Sequence, residues 1–137
     1  MSNGWIGCDL DRTLAEYDDF VSPTHIGKPI ERMVKRIQQH LANGDEVRIV
    51  TARVWYPEGD EKRKTEAAQA REAITEWCEK HIGQPLKITC CKDYSMWLLY
   101  DDRAIQVEPN TGLLTTDRAY EDGFCNGLTE GHRGPRS

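Results

Sequence analysis

Acidic and hydroxyl side chains gather directly after the short apolar runs of this chain, and their types suit phosphate chemistry. The run at 5–10 delivers Asp9 and Asp11, with Arg12 and Thr13 just behind. The run at 46–52 ends in Thr51, Ala52 and Arg53. Lys92 and Asp93 follow the run at 86–91, and Asp101, Asp102 and Arg103 follow the run at 96–100. Asp9 and Asp11 at alternate positions of a strand end cannot both be buried as anions without compensation. Asp101 and Asp102 make the local charge worse. A hard divalent cation relieves that repulsion, and all-oxygen ligation with room for water and phosphate suits Mg²⁺. A metal beside phosphate oxygens stabilises the charge of phosphoryl transfer, with Lys92 and the Thr51 hydroxyl on the remaining oxygens.

For those residues to converge, the runs that carry them must share one sheet and one direction. The periodicity predicts this. The apolar runs read as strands, with a fifth short strand expected at 104–108. Ile30, Met33, Val34, Ile37 and Leu41 recur at helical spacing, and Asn43 and Gly44 supply a stop. A second, longer helix starts at Asp60, carries Ala67, Ala70, Ile74, Trp77 and Cys78 on one face, and ends at Gly83. Strands separated by helices imply a parallel sheet with helices on both faces, a Rossmann-like α/β domain. Ligands of such sheets bind at the carboxyl ends of the strands, where the acids and hydroxyls fall. From about residue 115 the composition turns polar and Gly-rich, so 1–114 is expected to form the domain and 115–137 a loosely ordered tail.

The order of these motifs resembles the haloacid dehalogenase-like (HAD-like) phosphatase superfamily. D-L-D-R-T-L-A, then an apolar run ending T-A-R, then Lys92, then Asp101 with Asp102, covers about residues 5–112. The text K-D-Y-S-M-W-L-L-Y-D-D-R-A-I-Q-V-E-P-N-T-G is similar to small phage and bacterial members of it. The resemblance implies a three-layer α/β/α sheet of order 3-2-1-4-5 and a Mg²⁺-dependent phosphomonoester hydrolase. Asp9 would attack phosphorus and form an aspartyl-phosphate, while Asp11 would act as acid and then base. Thr51 and Lys92 would bind the phosphoryl group. Asp9, the Asp11 carbonyl and Asp102 would hold the metal, with Asp101 on Lys92 or on a metal-bound water. Dehalogenases of the superfamily lack the second aspartate and P-type ATPases carry Thr there, so Asp11 points to a hydrolase. One departure stands out: the position after Asp11 is commonly Gly, and here it is Arg12. Residues 12–28 are too few for a folded cap, and the connection after Lys92 is short, which implies a capless, open site.

The substrate expected from that resemblance is a nucleotide or a nucleic-acid terminal phosphate. A sugar phosphate, a phosphoprotein, or a binding role without turnover are the alternatives. Trp55 and Tyr56, in the loop after Thr51, are the best placed for substrate contact, with Arg12 and Arg53 beside them. Arg53 reads equally as a substrate ligand or a surface ion pair. Asp93 reads as a cap for its short connection, Trp77 and Trp97 as core, and His25, His40 and His132 as residues without evident partners.

The bulk numbers exclude other classes. Net charge is −5 with no long Lys/Arg run, which argues against a large polynucleotide partner. No apolar run approaches the roughly 20 residues of a membrane helix, and the first residues lack a secretory pattern, so a cytoplasmic protein is expected. The cysteine count of 5 is odd, and Cys90 and Cys91 are adjacent, which favours reduced thiols over a disulfide framework.

Overall fold

A computed structural model of the chain describes residues 3–116. Its backbone divides after Asp102 into two units. The first carries β1 (Trp5–Asp9), α1 (Glu31–Ala42), β2 (Glu46–Val50), α2 (Glu61–His81), β3 (Lys87–Thr89) and β4 (Met96–Tyr100), with a 3₁₀ turn at Ala52–Val54. The four strands form one parallel sheet of order β3-β2-β1-β4.

Strand β1 is central because its sequence tolerates burial on both sides: Trp5, Ile6 and Cys8 are all buried. On one face Ile6 and Cys8 join Val47 and Ile49 of β2 in a core closed by Val34 and Ile37 of α1 and by Ala70, Ile74 and Cys78 of α2. Each fully buried aliphatic side chain of that set contributes roughly 1.5–3 kcal/mol. The steps from β1 to β2 to β3 run in one direction across the sheet, so right-handed crossovers place both helices on the same face. Gln38 of α1 accordingly donates to the Ile82 carbonyl at the end of α2, at 3.0 Å. The expectation of helices on both faces is therefore met on one face only within residues 3–102.

The other face closes around a glycine. A Cβ on Gly7 would meet Val50 Cγ2 at 2.9 Å and Leu99 Cδ1 at 3.0 Å, so its absence lets β2 and β4 side chains meet over β1. Trp5 is roofed by the Arg48 guanidinium, 4.4 Å from the ring centre, and its indole donates to Asp93 at 2.8 Å.

Helix α2 begins where Asp60 accepts from the Arg63 N–H at 3.0 Å. It ends at Gly83, whose φ of +110° and bond to the Cys78 carbonyl form the turn that only glycine enters cheaply.

Two expectations are corrected. Residues 104–108 form no strand; in the second unit Val107 makes a single antiparallel bridge to Leu114 across a turn with Asn110 at φ +66° and Gly112 at φ +79°. The segment pairs back on itself, with Glu108 N–H donating to Leu113 at 2.7 Å, so the described sheet has four strands. Trp97 is not core but 50% exposed. The pairing of β4 slips, Met96 facing Trp5 and Leu98 facing Ile6, which leaves Trp97 without a cross-strand partner. The expected tail at 115–137 lies almost wholly outside the described residues. No described helix is long and apolar enough to cross a membrane.

Candidate functional site

The carboxyl ends of β1 and β4 bring three acids together. Carboxylate oxygens of Asp9, Asp101 and Asp102 lie within 4.8 Å of one another. Parallel pairing of Cys8 with Tyr100 is what aligns the two strand ends. The Asp9 carboxyl, ordinarily near 3.8, is pushed up to about 7. Burial is the first cause, followed by a hydrogen bond with the Asp102 carboxyl and by the Asp101 charge, while the Thr13 hydrogen bond acts the other way. Such a cluster of hard oxygen donors fits a divalent cation, which Asp9, Asp101 and Asp102 could hold.

The loop after β1 is tied to this cluster by Thr13. Leu14 and Ala15 N–H groups both donate to the Leu10 carbonyl at 2.9 Å, folding the loop tightly. The fold buries the Thr13 hydroxyl between strand ends, 3.2 Å from Asp9 Oδ2 and 3.2 Å from Asp102 Oδ1. Its oxygen also accepts the Asp102 N–H at 3.1 Å. One hydroxyl proton serves both acids in turn. Arg12 holds φ at +74°, a left-handed conformation that glycine adopts freely and other residues at a cost of about 1 kcal/mol. The Arg12 guanidinium lies 5.6 Å from the Tyr17 ring centre.

Asp11 faces a different partner. Arg53 donates to it twice, Nε to Oδ2 at 2.8 Å and Nη2 to Oδ1 at 2.9 Å. The same guanidinium reaches the Pro23 carbonyl at 3.0 Å and the Ser22 carbonyl at 3.4 Å. At 11% side-chain exposure Arg53 clamps Asp11 to the 16–28 loop. Thr51 is buried and caps the 3₁₀ turn, its oxygen accepting the Arg53 N–H at 3.2 Å. Its hydroxyl proton is still available to an acceptor.

Lys92 lies exposed on the connection after β3, and neither Asp9 nor Asp11 hydrogen-bonds to it. The structure thus gathers Asp9, Asp101 and Asp102 and pairs Asp11 with Arg53. Asp93 is a cap, accepting from Trp5 and from the Ser95 N–H at 2.9 Å. Trp55 is 54% exposed, its carbonyl held by Arg63. Two cavities meet at Arg53. One of about 420 Å³ includes Tyr17, Val21, His25 and Ile26, and one of about 230 Å³ includes Phe20, Pro23, Arg63 and Glu66.

Two sets of residues have contacts that the sequence reading gives them no role in. Thr13 was readable in principle, as the hydroxyl four positions after Asp9. The chain Asp45–His40–Tyr100 was not: His40 Nδ1 lies 3.2 Å from Asp45 and Nε2 lies 2.8 Å from the Tyr100 hydroxyl. Nothing local links His40 to Tyr100, so the absence of an evident partner for His40 is corrected only by the tertiary fold. No family model matches the sequence, and no curated protein does. Among solved structures the chain is similar to a conserved protein coded by a locus from Bacteroides thetaiotaomicron. That likeness has 19% identity and a TM-score of 0.48, covering 90% of this chain and 94% of that one. What residues 3–102 establish is a parallel α/β sheet with an acidic cluster at the carboxyl ends of its two adjacent strands β1 and β4.

Proposed function

We propose that this chain is a HAD-like, Mg²⁺-dependent phosphomonoester hydrolase with Asp9 as nucleophile. The observation that carries the reading is the Asp9, Asp101 and Asp102 cluster at the end of a parallel β1–β4 pair, with Asp11 two residues beyond Asp9. The strand order β3-β2-β1-β4 is also the first part of the order expected for that superfamily. Asp9, Asp101 and Asp102 would hold Mg²⁺ together with the Asp11 carbonyl. When bound, the ion neutralises the cluster and the charge that develops on phosphoryl oxygens.

An Asp9 oxygen bonds to phosphorus as the bond to the leaving oxygen breaks, giving an aspartyl-phosphate. Asp11 donates a proton to the departing alcohol. It then accepts one from the water that cleaves the aspartyl-phosphate, which releases inorganic phosphate and restores Asp9. Thr51 and Lys92 hold phosphoryl oxygens through the cycle. Both oxygens of Asp11 accept from Arg53, so the guanidinium fixes the orientation from which Asp11 would handle a proton. A phosphate is itself a two-oxygen partner for guanidinium and competes for Arg53 on arrival. The preferred substrate is a nucleotide or a nucleic-acid end, since exposed Phe20, Trp55 and Tyr56 offer stacking surfaces.

A binding role without turnover has one observation in its favour: both Asp11 oxygens already accept from Arg53. Hydrolysis of an aryl phosphate with and without Mg²⁺, for wild type and Asp9→Asn, separates the two. Mg²⁺-dependent turnover lost in a folded Asp9→Asn supports the hydrolase. Absence of turnover across aryl phosphate, nucleotides, sugar phosphates and DNA ends, with Mg²⁺ still bound, favours the binding role.

A further inference from the structure

Cys90 and Cys91 follow β3 on the connection that leads to Lys92. Their sulfurs lie 3.9 Å apart, and both thiols are unpaired. Cys91 is exposed and Cys90 half-buried. The backbone that presents them is fixed. The Thr89 hydroxyl accepts the Cys91 N–H at 3.1 Å and lies 3.2 Å from the Cys91 carbonyl, to which it donates. Arg71 of α2 holds the preceding Ile88 carbonyl at 2.9 Å.

Three chemistries suit neighbouring thiols, and geometry separates them. A disulfide needs sulfurs about 2.05 Å apart on residues whose Cα atoms are usually about 4.4–6.8 Å apart. Neighbours across a trans peptide stand only about 3.8 Å apart, so the pair is poorly built to close on itself. Zinc takes four protein ligands in structural sites and three in catalytic ones. Among the described residues only Asp9, Asp101 and Asp102 form a group of three or more candidate ligands, so the cysteines lack a third. What remains is a centre satisfied by two sulfurs alone. Two bonds of about 2.3 Å, the length of a zinc–sulfur bond, span any gap up to about 4.6 Å, and 3.9 Å lies inside that reach.

We propose that Cys90 and Cys91 form a dithiol site for monosubstituted trivalent arsenicals. With phenylarsine oxide, both S–H bonds and the As–O double bond break and two As–S bonds form. The two thiol protons leave with the oxygen as one water, and neither arsenic nor sulfur changes oxidation state. The competing thiols Cys8 and Cys78 are fully buried in the core, where a reagent in solution does not reach them. Under the hydrolase reading the adduct would sit beside Lys92 and inhibit; its formation does not depend on that reading.

The test is native mass spectrometry of the full chain with equimolar phenylarsine oxide. Wild type should gain one arsenical less one water, released by 1,2-ethanedithiol. Cys90→Ser and the exposed Cys91→Ser should each weaken binding by about 10²-fold, because the second As–S bond forms at a high effective concentration. Cys125→Ser should bind as wild type does. The proposal is overturned by wild type taking no adduct, by Cys91→Ser (folded by circular dichroism) keeping it, or by Cys125→Ser losing it.

Discussion

Thr13 and Arg53 show how individual side chains set the state of this site. Among the described residues Thr13 is the one hydroxyl in contact with both Asp9 and Asp102, and it accepts the Asp102 N–H as well. Thr13→Val keeps the shape and removes all three bonds. The loss should cost about 1–3 kcal/mol of stability, since a part-buried N–H and a carboxylate lose their partner. It should also weaken Mg²⁺ binding by about 10–100-fold, as loss of groups that orient metal ligands does. Denaturant unfolding and calorimetric Mg²⁺ titration read the two effects separately. Arg53→Lys probes the clamp on Asp11. An ammonium cannot reproduce two parallel bonds to one carboxylate plus bonds to Ser22 and Pro23. The side chains are 11% and 23% exposed, so the loss should fall somewhat below the about 3–5 kcal/mol of a fully buried pair, at about 2 kcal/mol. Aryl phosphatase activity should fall with it, mainly in kcat; unchanged kcat would remove Arg53 from the cycle.

At the scale of elements, the 16–28 loop is the piece whose integrity the site requires. Its neck is closed by the Glu16 N–H donating to the Lys28 carbonyl at 2.8 Å and by a bridge between Ala15 and Pro29. Gly27 makes that neck possible: a Cβ there would sit 2.0 Å from the Glu16 carbonyl oxygen, a backbone atom that cannot swing aside. Gly27→Ala should therefore open the neck, costing about 1–3 kcal/mol as overpacking does, and expose 16–28 to limited proteolysis. A protease-resistant variant would show that the Arg53 contacts and the Trp77 bond to the Gly27 carbonyl hold the loop without the neck. The contrast with Gly7 is instructive. There the clashing atoms are the side-chain ends of Val50 and Leu99, which can yield.

For the molecule as a whole, the acidic cluster makes stability depend on pH and metal together. The Asp9 carboxyl sits at about 7 when folded against an ordinary 3.8, so the folded chain binds its proton more tightly than the unfolded chain. Stability contributed by that proton is present below about pH 4 and is lost as pH rises to about 7. The metal-free Tm should therefore fall over that window for this group. Asp9→Asn should flatten the fall and melt a few degrees above wild type at about pH 8, a modest gain because the half-buried carboxyl is partly screened by solvent. Mg²⁺ competes with the same proton. At about 100 times its Kd it should add about 2.7 kcal/mol, and the gain in Tm should be larger at about pH 8 than at about pH 5.5. Differential scanning calorimetry at the two pH values checks both signs; an equal Mg²⁺ effect at both would place the ion away from Asp9.

The sequence by itself determined the elements and the strand-end positions of the acids. Apolar runs and helical spacing depend on local patterning, so β1 to β4 and both helices stood where 5–10, 46–52, 86–91, 96–100 and the Ile30 and Ala67 periodicities placed them. Alternation of strand and helix also implied the parallel sheet, because a crossover of that length returns a strand in the same direction. Only the tertiary structure decided the partnerships. Asp11 is 42 positions from Arg53, Thr13 is 89 from Asp102, and His40 is 60 from Tyr100. No local pattern encodes which side chain ends a strand beside which other. The same holds for Trp97, apolar by type yet expelled by a slip in pairing, and for 104–108, strand-like in composition yet paired to its own hairpin partner. Side-chain type is a property of one position. Burial and pairing are properties of two segments brought together, and that depends on the register between them.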